Sequence, residues 1–595
     1  MTQATTLHLG NWQNTAPTIQ YQVAMPQPES HLFEVTLQVT DWQGSVLDLK
    51  LPVWTPGSYL VREYAKHLQD FSAADGEGRS LNWRKQGKNH WQVETANVAD
   101  IVVKYRIFAN ELSVRTNHLD GTHGYFNGAA LFFYLPGFEQ QPMQVAIAPP
   151  KPDWRVTTAL PAVQGQVNTF FAKDFDTLVD SPFEIGCHKL CEFEVLGKSH
   201  EMAIWGEGNY QVDRMIQDAK KIIQVEADLF GGLPYNRYVF LLHLSGSSYG
   251  GLEHKECCSL IYSRFSFRSK DKYKGFVQLL AHEFFHLWNI KRIRPKALES
   301  FDYDRENYTR SLWFGEGTTS YYDLLLPYRA GIYDVKAYLK DLSKEITQLQ
   351  TKPGRKVQPV SESSFDAWIK FYRQDANSDN SQISYYLKGE LVSFLLDLSI
   401  RERWGNKRSL DDVMRQMWQQ FGQEEIGYTP EQLKQVIESV AGINLDDFFA
   451  RYIDGTDELP FDEYLEPFGL QLKAEFEEDN PPHLGLTAKA ENGREFIKFV
   501  EAGSPAQLAG VDAGDELLAI DGIRVTAEGL SDRLKDYQPG NIIELTLFHQ
   551  DELRTLSVTL APPHPNSYKL VAVEKPSQVQ EQNFSGWLGV PLSQI

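Results

Sequence analysis

The pentapeptide His282-Glu283-Phe284-Phe285-His286 constrains this chain more than any other feature. It lies within FVQLLAHEFFHLW, where apolar residues recur at helical spacing, so the two histidines project from one face of one helix. Neutral imidazoles four residues apart can share one metal ion, and zinc suits them. Glu283 points to the side of the pair, where it can take a proton from a water at the metal. Two surface histidines on a helix would leave the same pattern, so the third ligand matters. A catalytic zinc takes three protein ligands and keeps a fourth position open. The next helical run, SLWFGEGTTSYYDLLLPYRAG, supplies Glu316, and the loop RIRPKALESFDYDRENYT allows that helix to return antiparallel. The expectation is one zinc per chain on His282, His286 and Glu316.

At 595 residues the chain exceeds one hydrophobic core and divides into several domains. Residues 1–185 contain HLFEVTLQVTDW, SVLDLKLPVW and HWQVETANVADIVVKYRIFA, alternating or β-rich runs broken by Gly, Asp and Pro. They predict an all-β sandwich. Residues 186–465 shift to helical spacing, and several runs stop at Gly. An acidic, proline-bearing connector, EFEEDNPP, opens a further domain at 475–565 that is strand-rich from about 483. Residues 566–595 form a polar tail whose apolar pieces, YKLVAV and FSGWLGV, are expected to pack back on the body.

The net charge of −21 argues against general affinity for nucleic acid or anionic lipid. No stretch approaches the roughly 18 apolar residues of a membrane span. The start, MTQATTLHLGNWQNTAPTIQ, lacks a signal-peptide pattern, which favours a cytoplasmic protein, or a periplasmic one if a leader has been removed. Four cysteines make no disulfide framework, and reduced thiols are expected. Cys187, His188 and Cys191 are close enough to bind metal, but no second Cys/His pair at finger spacing follows.

Four longer segments carry a resemblance. WTPGSYLVREYAKH at 54–67, YFNGAALFFY at 125–134, DSPFEIG at 180–186 and HEFFHLWNIKRIRP at 282–295 resemble the glycyl aminopeptidase family. These are gluzincin zinc peptidases with a C-terminal PDZ domain, and WFGEGTTSYY is similar to their second, glutamate-bearing helix. The resemblance implies a thermolysin-like α-rich catalytic domain and removal of amino-terminal residues from peptides, small ones such as Gly or Ala first. In the related large zinc aminopeptidases a Gly-x-Met-Glu-Asn segment binds the substrate's amino terminus. GGLEH at 250–254 is similar, with Gly250, Gly251 and the carboxylate Glu253, although Leu252 and His254 replace the Met and Asn. Their Tyr-x-Lys-Gly segment, whose tyrosine bonds the tetrahedral intermediate, is matched by YLKG, which implicates Tyr386 and makes Tyr385 its rival.

Within 475–565, EAGSPAQLAGVDAGDELLAIDGIRV looks like a PDZ domain, and LGLT at 484–487 occupies the loop that takes a peptide C-terminus in that family. WTPGSY and YFNGAA are candidate walls of the substrate cleft. Arg292 and Arg294 either bind a substrate carboxylate or pair with the acidic loop DYDRE, and pairing is favoured. Three rival readings stay open: a zinc endopeptidase on the same scaffold, a PDZ-mediated binding protein with an inert metal site, and a hydrolase of non-peptide amides or epoxides.

Overall fold

Strict alternation in Thr18–Ala24 and Leu32–Thr40 buries Ile19, Tyr21, Val23, Phe33, Val35, Leu37 and Val39 on one face of a sheet. The computed structural model describes residues 17–476 and 480–595; the chain start read above and the centre of the acidic connector lie outside these residues. Six strands form the main N-terminal sheet, with Thr18–Ala24 paired antiparallel to Leu32–Thr40 and parallel to Met143–Ala148. A three-stranded sheet (Val46–Lys50, Trp83–Gly87, His90–Glu94) and a four-stranded one complete this β-rich domain. The four-stranded sheet runs Arg155–Thr157, Phe183–Gly186, His123–Phe126, His118–Leu119 in spatial order.

These strands belong to the first of two compact units, residues up to Tyr308 together with Met417–Tyr428. The same unit holds a five-stranded sheet in the order Lys189–Val195, Lys198–Trp205, Arg237–Ser245, Cys257–Ser263, Gly250–Glu253. Arg237–Ser245 is buried almost end to end and parallel to both neighbours, which explains its continuous apolar run. The helix Val212–Phe230 crosses between the first parallel pair. Gly250–Glu253 closes one edge, antiparallel to Cys257–Ser263.

The second unit comprises Thr309–Gln416 and Thr429–Ile595. It begins with helices Thr318–Arg329, Val335–Gln350 and Tyr385–Trp404. The last of these is buried on nearly every side, so it reads as apolar all round. Further along the chain, Ile497, Leu517, Ile520, Ile543, Leu545, Leu547 and Val558 form the core of a strand-rich domain. The Asn380 side chain ties it to the helices by donating to the Val500 carbonyl and accepting from Ala502 N–H, both at 2.9 Å. The tail does pack back: Ser567–Ala572 pairs antiparallel with Leu470–Glu475, and Leu570 N–H donates to Ser343 Oγ at 3.0 Å. No helix among the described residues is long and apolar enough to cross a membrane.

Candidate metal and substrate site

His282 and His286 lie at the end of the helix Lys270–Phe285, which Ser269 starts by accepting from Lys272 N–H. Tyr273, Phe276, Val277, Leu280 and Phe284 anchor the buried face of that helix. The two imidazole rings stand at right angles with centroids 4.5 Å apart. His286 Nδ1 lies 2.6 Å from the Asn289 carbonyl. A carbonyl only accepts, so Nδ1 carries the proton and Nε2 keeps the lone pair that a zinc ion needs. This tautomer fits zinc ligation.

Glu253 reaches the same place from the edge strand. Its carboxylate, that of Glu283 and the His286 ring offer atoms within 4.8 Å of one another, and all three residues are buried. Glu253 Oε1 makes no hydrogen bond among the described residues. Two glycines make this approach possible. A Cβ built on Gly251 would lie 2.0 Å from Glu283 Oε1, so only glycine leaves room for that carboxylate. Gly57, at φ +87°, sits where a Cβ would come within 2.5 Å of Glu253 Oε1. The WTPGSY loop thus covers the Glu253 carboxylate, and Asn127 of the YFNGAA segment braces the loop by accepting from Thr55 Oγ1 at 3.2 Å. Arg115 Nη2 donates to the Gly251 carbonyl at 3.0 Å and holds the edge strand from outside.

In the second unit Glu316 sits on a π-helical turn, Trp313–Gly317, that leads into the helix Thr318–Arg329. Such single wide turns recur at functional sites; sequence periodicity signalled only a helix here. Gly317 and Gly389 let this turn press against the helix Tyr385–Trp404, since a Cβ on either would meet the other element's backbone at 2.5 Å. The crossing brings Glu316 near Tyr386. Burial, then the Glu316 charge, raises the Tyr386 phenol well above its ordinary value. The hydroxyl therefore stays protonated and able to donate. Tyr385 and Tyr386 each meet the Tyr372 hydroxyl at 3.3 Å.

Three profiles of known families match the chain: the Peptidase M61 N-terminal domain over residues 20–187, M61 glycyl aminopeptidase over 275–392 and a PDZ domain over 496–539. A crystal structure of an aminopeptidase N family protein from Idiomarina loihiensis is 34% identical, with a TM-score of 0.90, covering 96% of this chain and 100% of that one. The chain belongs to the M61 glycyl aminopeptidase family. It is an aminopeptidase of that family, with a β-rich N-terminal domain, a helical catalytic domain and a C-terminal PDZ domain. The M1 zinc metallopeptidase from Deinococcus radiodurans is also similar, at 13% identity and TM-score 0.48, covering 75% of this chain and 95% of that one. No curated protein matches the sequence.

In this M61 family member the arginines after the motif helix do not meet the DYDRE loop. Arg292 Nη1 donates to the Leu287 and Lys255 carbonyls at 2.8 and 3.1 Å, and Arg294 pairs with Glu425 at 3.4 Å. Glu425 lies 131 residues further along the chain, beyond any local pattern. The Cys187–His188–Cys191 grouping does not converge either: the Cys187 thiol meets Asp153, while His188 is buried against Thr157 and Glu184.

Proposed function

We propose that this M61 enzyme uses one zinc per chain to remove the first residue of peptides with a free amino terminus, favouring Gly or Ala. His282, His286 and Glu316 hold the metal: the two imidazoles share a helix face, with His286 in the ligating tautomer, and Glu316 is the buried acid of the WFGEG turn. When bound, zinc supplies Lewis acidity to the scissile carbonyl and to the attacking water. Glu283 takes the proton of that water and returns it to the leaving amine. The Tyr386 hydroxyl, kept protonated by its surroundings, donates to the oxyanion.

Glu253 carries the exopeptidase reading. A buried carboxylate with an oxygen making no hydrogen bond, beside a second carboxylate, is a costly arrangement. A substrate ammonium relieves it and fixes the first peptide bond over the metal. Gly250 and Gly251, on the same edge strand, are the proposed backbone contacts for the substrate's first residue. Trp54, Tyr59, Leu298 and Phe301 crowd the cavity at Glu253, which supports preference for small side chains. The LGLT loop is the proposed receptor for a peptide C-terminus at the PDZ domain. Four free thiols favour the reducing cytoplasm. Mass analysis of products from a panel of free and N-acetylated peptides tests the reading: stepwise trimming of free peptides alone supports it. Internal cleavage of acetylated peptides at equal rates would make the enzyme an endopeptidase.

A further inference from the structure

A second group of metal-ligating side chains lies away from the motif helix, between the four-stranded sheet and the five-stranded one. His123, Glu184 and His243 are each at most 1% exposed and offer ligand atoms within 4.8 Å of one another. They come from three strands: His123–Phe126, Phe183–Gly186 and Arg237–Ser245. Trp205 stacks on the His123 ring at 3.7 Å between centroids and shields it from solvent.

The polar accounting does not close. His243 Nε2 meets Glu184 Oε2 at 2.8 Å. Neither ring nitrogen of His123, nor Glu184 Oε1, nor His243 Nδ1, makes a hydrogen bond, and Nδ1 of neighbouring His188 makes none either. Beyond hydrogen-bond reach, His188 Nδ1 stands 3.8 Å from Glu184 Oε1, and His123 Nδ1 stands 3.9 Å from Asp120 Oδ1. Buried polar atoms without partners are few in native proteins, and a cluster of five at one point signals an ion or water. Two imidazoles and a carboxylate are a donor set typical of zinc and its first-row neighbours.

We propose that His123, Glu184 and His243 bind a second divalent transition-metal ion, zinc or cobalt by donor type, as a structural clamp between the two sheets. The clamp has a functional neighbour. Tyr125, two residues from His123, packs on the His243 ring and donates to Ser259 Oγ at 2.8 Å. Ser259 pairs with Leu252, next to Glu253, so the ion would brace the strand that carries the proposed substrate carboxylate.

The test is a count. Metal-free full-length enzyme is loaded with Co(II), passed through a desalting column and assayed by elemental analysis. Two equivalents per chain are expected for the natural sequence, one for His286→Ala, and one for the double variant His123→Gln/His243→Gln. One equivalent in the natural sequence and none in His286→Ala would overturn the proposal, as would a second equivalent retained only in millimolar Co(II). If the double variant does not fold, His243→Asn alone is counted in its place, again with one equivalent expected, and two equivalents in a folded variant of either kind would overturn the proposal. A His286→Ala enzyme that keeps both ions would count against the motif-helix site and leave the clamp standing.

Discussion

Gly251→Ala should disable the enzyme without removing its metal. The alanine Cβ would lie 2.0 Å from Glu283 Oε1, whereas real Cβ atoms essentially never come within 3.0 Å of another group. Either the Glu283 carboxylate or the edge strand must retreat by about 1 Å, and misplacements of that size cost catalysis roughly a hundredfold. A general base acts only within about 2.6–3.2 Å of its proton, so the loss falls on kcat, about 2.7 kcal/mol in barrier. Overpacking a buried position should cost about 1–3 kcal/mol of stability as well. Steady-state kinetics on a Gly- or Ala-initiated peptide, metal analysis and a thermal melt separate these effects. A folded, zinc-loaded Gly251→Ala enzyme with kcat within about threefold of normal would refute the reasoning: Glu283 would not be the base, or would not sit against the strand.

Glu283→Gln should retain zinc and lower kcat at least about a hundredfold, since it removes a base and no ligand; metal loss would instead make Glu283 a ligand. Tyr386→Phe should lower kcat more than it raises KM, with Tyr385→Phe as control; the reverse ranking would assign the oxyanion role to Tyr385. Gly57→Ala should raise KM for free-amino peptides, because its Cβ would come within 2.5 Å of Glu253 Oε1 at a backbone angle alanine resists. An unchanged KM would mean that the loop moves aside.

The helical period around HEFFH and the alternation in Leu32–Thr40 were legible because both record which face is buried. Short-range signals also predicted the strand-rich C-terminal domain and the returning tail. Long-range juxtapositions were not legible. Gly57 and Glu253 lie almost two hundred residues apart, and nothing local announces that one must be glycine for the other to sit there. The partner of Arg294 was misread for the same reason: DYDRE is near in sequence, Glu425 near in space. Glu316 was recognisable as an acid in a helical run, but its π turn depends on the Gly317–Gly389 crossing. His123, Glu184 and His243 drew no notice as a group, since each sits alone in an apolar strand.

The exopeptidase reading rests on Glu253, and one ratio examines it. We would measure kcat/KM for a free peptide and its N-acetylated form, in the natural enzyme and in Glu253→Ala. A charge-assisted contact to the substrate ammonium is worth about 1.5–3 kcal/mol, or roughly ten- to more than a hundredfold. The natural enzyme should prefer the free peptide by at least that factor, and Glu253→Ala should lose most of the preference while keeping its zinc. An unchanged preference in Glu253→Ala, or equal cleavage of both peptides by the natural enzyme, would contradict the assignment.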